Sequence, residues 1–217
     1  VHILDYPTTI YGATFDLYHW TDNWAPTSIN LNTLGLMPTV AGEVLKDFSQ
    51  WCQLSSITMM LLDRLPDDQA AEAVTEQSDR GSKCYVRLKN PAPGTETLQT
   101  IQTIAHELYH CIQNCQNYAS IVDAPFATWW VEGTAEYMAN YYYPAITADG
   151  SSPVIVYIED YDIRTPIYRQ DPEKNGEQAA LFFMSLSKSG WKNEAISAWT
   201  STFSAWQNRS LPLLLNH

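Results

Sequence analysis

Two histidines stand four residues apart at His106 and His110, and Glu107 follows the first, within the stretch Leu98 to Cys115, LQTIQTIAHELYHCIQNC. On an α-helix, residues i and i+4 lie one turn apart, so both imidazoles can reach one divalent cation. With about 100° per residue and His106 at zero, His110 falls at about 40° and Glu107 at about 100°. Ile101, Ile104, Leu108, Ile112 and Cys115 all fall between about 160° and 240°, so the apolar stripe lies opposite the imidazoles. Glu107 is rotated off the ligand axis, which suits a carboxylate that accepts a proton from a water activated at the metal rather than binding the metal itself. The plain alternative is a soluble helix that carries two surface histidines, but the pattern and its facing together favour a metal site.

A structural zinc site needs four protein ligands, whereas a catalytic one keeps a position open for water, so the third ligand decides the class. The metzincin pattern requires a Gly and a third His where Gln113 and Gln116 stand, and that subclass is excluded. The deuterolysin pattern requires Tyr-Gly after Gly133-Thr134, and it is absent. A glutamate on a second helix remains, and the segment TWWVEGTAEYMANY offers Glu132 and, one turn on, Glu136.

Here the sequence resembles the gluzincins, the thermolysin and aminopeptidase N type of zinc peptidase. The resemblance covers about Ile101 to Tyr141 and rests on the His-Glu-x-x-His pattern with Trp129, Trp130, Glu132, Gly133 and Ala135. It implies Zn²⁺ held by His106, His110 and Glu132, Glu107 as general base, and Glu136 as a partner of one ligating histidine. A carboxylate in that last role holds an imidazole in one tautomer. A fainter similarity around YRQDPEKNGEQAALFFMSL implies a tyrosine that donates to the oxyanion, Tyr168 first and Tyr161 next. The aminopeptidases' Gly-x-Met-x-Asn amine anchor is missing before Leu98. An endopeptidase is therefore expected, with the strand from Cys84 to Asn90 as the edge that pairs with an extended polypeptide substrate.

These side chains need a scaffold, and 217 residues suffice for a single catalytic domain of two lobes, 1–117 carrying the sheet and metal helix and 118–217 mostly helical, with a cleft between. The expected class is α+β and zincin-like. Hydrophobic period marks a strand at 13–20, a loop through 25–38, a helix at 39–53, a buried strand at 57–65 and a half-exposed or edge strand at 83–90. Two amphipathic helices are expected near the end, one through Ala179, Phe182, Phe183 and Leu186, the other through Ile196, Trp199, Phe203 and Trp206.

A net charge of −12 without any Lys/Arg cluster argues against nucleic acid and anionic membrane surfaces, and no apolar run is long enough for a membrane span. A monomer is expected. The four cysteines fit an oxidising, extracellular setting, and an opening on Val1 rather than Met fits a chain whose leading segment has been removed, as it equally fits a shortened sequence. Cys111 and Cys115 fall on or beside the apolar stripe, away from the imidazoles, and a bridge within one helix is strained. Each is expected to reach Cys52 or Cys84, in either crosswise pairing. His2, His19 and His217 have no partner at ligand spacing. The competing functional readings are an extracellular binding module with a structural zinc, and a metal-dependent hydrolase of a non-peptide amide.

Overall fold

The computed structural model describes residues 2–20, 28–49, 52–66, 69–92, 97–122, 128–144 and 179–193. The chain divides into two compact units, Val1–Cys115 and Gln116–His217. It is α+β, with a mixed five-stranded sheet and four helices among the described residues.

In the first unit the strands are β1 (His2–Ile10), β2 (Ala13–Trp20), β3 (Leu54–Leu62), β4 (Ala71–Glu76) and β5 (Ser82–Lys89), and the sheet order is β1-β2-β3-β5-β4. The central pairs β2–β3 and β3–β5 are parallel, and the two flanking pairs are antiparallel. β1 turns into β2 through Tyr11 (φ 47°) and Gly12 (φ 87°), two positive-φ residues as a tight type I′ hairpin demands. The sequence reading missed β1, because Pro7 interrupts its pattern. The structure accommodates Pro7 where the β1–β2 register shifts, between Leu4 and Thr8, on an edge strand where a missing N–H is tolerated.

Alternate side chains cover one face of the sheet. Phe15, Leu17, Ile57, Met59, Leu61, Cys84, Val86 and Leu88 are all buried there. Helix α1 (Ser28–Phe48) buries Leu34, Met37, Ala41, Val44 and Phe48, a stripe at three- and four-residue spacing. This corrects the expectation of a loop through 25–38. Pro38 lies inside the helix, and its missing N–H did not outweigh that stripe. Helix α2 (Thr97–Val122) packs beside α1, with Tyr109 edge-on to Phe48 at 5.4 Å between ring centroids.

Both cysteines of α2 are bridged, Cys111 to Cys84 on β5 and Cys115 to Cys52 just after α1. The expectation that each leaves its helix holds, and the pairing is now fixed.

In the second unit, α3 (Thr128–Tyr142) packs against α4 (Ala180–Lys188). Trp130 meets Phe183 edge-on at 5.0 Å between centroids, and Tyr137 donates from its hydroxyl to Asn193 Oδ1 at 2.7 Å. α4 fulfils the first of the two expected C-terminal helices. The second, through Ile196 to Trp206, lies outside the described residues.

Candidate metal centre

α2 carries His106, Glu107 and His110, and its two disulfides hold the turns that follow them against the sheet and α1. The two imidazoles meet as their spacing requires. Their rings are 4.7 Å apart between centroids, nearly perpendicular, and the two Nε2 atoms lie 3.0 Å from each other. Two nitrogen lone pairs at that distance repel unless a proton or a cation stands between them, so this is a pair arranged to share a positive centre.

One ligand atom each from His106, His110 and Glu132 falls within 4.8 Å of the others. Two atoms bound to one zinc at about 2.1 Å are at most ~4.2 Å apart, so the span is close to what a single ion bridges. All three residues are half-buried. Two imidazoles and a carboxylate form a donor set suited to zinc and to neighbouring divalent metals. The residues present fit a metal ion.

Glu107 differs from its surroundings. It is 8% exposed, the one buried carboxylate among the described residues. Charged groups are seldom buried unless they are paired, so a carboxylate held there beside two potential ligands sets this turn apart from the rest of the helix.

His110 Nδ1 lies 2.8 Å from Gln113 Oε1. An amide oxygen accepts, so Nδ1 donates and His110 keeps its Nε2 lone pair for a cation. Sequence reasoning had used Gln113 only as the residue standing where the metzincin pattern needs its glycine. Its place one turn beyond His110 was the available signal. Glu136, expected to serve a histidine, accepts from Asn140 Nδ2 at 2.7 Å through its Oε1. Tyr168 and Tyr161, the expected oxyanion donors, lie outside the described residues.

The motif's glycine also has a structural reason. A Cβ on Gly133 would collide with Ala179 and press on Phe183, so only glycine lets the start of α4 approach α3 directly beside Glu132.

The expected edge strand requires correction. β5, which includes Cys84, is flanked by β3 and β4 and has no free edge, and the edge belongs to β4. Lys89 N–H donates to Ala70 O, and with the register Ala71↔Leu88 and Ala73↔Val86 this turns the ladder groups of residues 72, 74 and 76 toward β5. The N–H and C=O groups of Ala71, Ala73 and Thr75 point away from β5, and among the described residues no strand pairs with them there. β4 runs in the same direction as α2. Ala70, just before the start of β4, lines a recess with Gln99, Thr100 and Thr103, and Gln77, just past the end of the strand, donates to Asn114 O at 3.5 Å. The middle of the free edge is therefore level with the histidine-bearing turns of α2.

No protein-family model matches this chain, and no curated protein matches it.

Proposed function

We propose that the chain is a secreted zinc metalloendopeptidase of gluzincin type, with a zincin-like arrangement of sheet and metal helix. The observation that carries this reading is the convergence of His106, His110 and Glu132 next to the buried Glu107. A divalent cation bound there would supply a Lewis acid that polarises a carbonyl and acidifies a water molecule. His106, His110 and Glu132 would hold it, and Glu107 would accept a proton from the attacking water and deliver it to the leaving amine. The resemblance assigns to Glu136, which accepts from Asn140 Nδ2, the orienting of one ligating histidine. The resemblance assigns stabilisation of the oxyanion to Tyr168, with Tyr161 as the next candidate.

A polypeptide substrate is supported by β4. Its outward groups at Ala71, Ala73 and Thr75 offer main-chain hydrogen bonds to an extended chain, and these bonds need no free terminus. Secretion is supported by the two disulfides, which persist in oxidising compartments. Among the described residues no helix is long and apolar enough to cross a membrane.

The test pairs zinc content with hydrolysis of casein and quenched peptides by wild type and Glu107→Gln. The expected result is zinc retained in both and activity reduced by about 10²- to 10⁴-fold in the variant. Equal activity in both would remove Glu107 from the mechanism. A zinc-loaded wild type inert toward every peptide would favour a binding module, and chelator-sensitive turnover of another amide would redirect the substrate class.

A further inference from the structure

We propose that Gln113 is a positioning residue that fixes His110 as its Nδ1–H tautomer and so sets the affinity of the site for its metal. This rests on the metal reading above.

Gln113 is 1% exposed. An amide so deeply buried loses several water hydrogen bonds, and its burial is tolerated only when protein groups replace them. The replacement for Oε1 is the Nδ1–H of His110 at 2.8 Å. That contact has a chemical consequence. A neutral imidazole carries one proton, and a proton held at Nδ1 leaves Nε2 bare. Nε2 is the atom that faces His106 Nε2 at 3.0 Å. The same hydrogen bond also stops rotation of the ring about its Cβ–Cγ bond, so the lone pair is aimed before any cation arrives.

The placement makes the support rigid. Gln113 and His110 share α2 at a spacing of three residues, so the acceptor moves with the ligand it orients. Gln113 lies between Cys111 and Cys115, and each of these is bridged to a different element. The turn that supplies the acceptor is thus tied on both sides of the residue. An amide oxygen is a weaker acceptor than a carboxylate, so it directs the tautomer while adding little to the basicity of the imidazole.

Three preparations of the full chain test this: wild type, Gln113→Met, which keeps length and apolar volume but lacks a strong acceptor, and Gln113→Glu, which restores one. Zinc affinity is read by competition with a chromophoric chelator, and the tautomer by long-range ¹H–¹⁵N correlation on metal-free protein. Expected are Nδ1-protonated His110 in wild type, a ~10- to 100-fold weaker zinc affinity in Gln113→Met with a redistributed tautomer signal, and recovery in Gln113→Glu. Unchanged affinity and tautomer in Gln113→Met would overturn the proposal, as would equal losses in both variants, which indicate packing alone. Should Gln113→Met not fold, the wild-type spectrum decides, because an Nε2-protonated His110 is incompatible with the assigned role. A wild type that binds no zinc would instead overturn the metal site itself.

Discussion

Ala73 and Val74 are neighbours on β4, yet proline at the two positions is expected to do opposite things. By the register of β4 on β5, the N–H of Ala73 points to the free edge, while the N–H of Val74 points toward β5 at Tyr85. Ala73→Pro therefore removes no ladder bond, and edge strands accept proline where the N–H faces outward. What it removes is one donor to an extended substrate, worth about 1 kcal/mol, which corresponds to a ~5-fold fall in kcat/KM. Val74→Pro breaks a ladder bond and leaves a carbonyl of β5 short of its partner, a cost of roughly 2 kcal/mol in stability. The assay is steady-state hydrolysis of a quenched peptide long enough to span the edge, together with urea unfolding of both variants. Ala73→Pro should unfold near the wild-type midpoint with impaired turnover of the long peptide. Unimpaired turnover in a well-folded Ala73→Pro would refute pairing of substrate with β4, and an equal loss of stability in both variants would refute the register argument.

Gly133→Ala introduces a methyl group where Ala179 already sits, and should destabilise the packing of α3 on α4 by about 1–3 kcal/mol, read as a lower unfolding midpoint. Replacing both Cys84 and Cys111 by alanine reopens a loop with a sequence separation of 27 and should cost at most about 3.5 kcal/mol, seen as a fall in Tm, because the enclosing Cys52–Cys115 bridge already restricts the unfolded chain. Chelation should abolish hydrolysis, and zinc at a hundred times its Kd should add about 2.7 kcal/mol to stability, so calorimetric scans with and without the ion should separate.

What the sequence made legible was the part governed by short-range spacing. The facing of His106 and His110 follows from helical period alone, and the structure brings their Nε2 atoms to 3.0 Å. That Cys111 and Cys115 would leave their own helix followed from the same geometry, whereas the choice of partner is a matter of tertiary distance and was not readable. Local propensity misled at both ends of the sheet. Four of the six residues of β4 are Ala or Glu, poor strand formers, and it is held by its ladder with β5, while Pro7 concealed β1. Missing β4 made β5 look like an edge. The burial of Glu107 was equally hidden, because helical angle gives direction and not what packs there. α2 buries Ala105, Glu107 and Tyr109 as well as the apolar stripe, so more of its circumference is covered than its amphipathic pattern indicated.

The two borders of the sheet are guarded unequally. At the β1 border a proline and a shifted register spoil the regular row of donors and acceptors that a stray strand would need. The β4 border keeps its short row intact at Ala71, Ala73 and Thr75, with the negative charges of Glu72 and Glu76 on the opposite face. Such a chain would recruit foreign backbone from one side only, and under crowded or partly unfolded conditions self-association should begin at that same side.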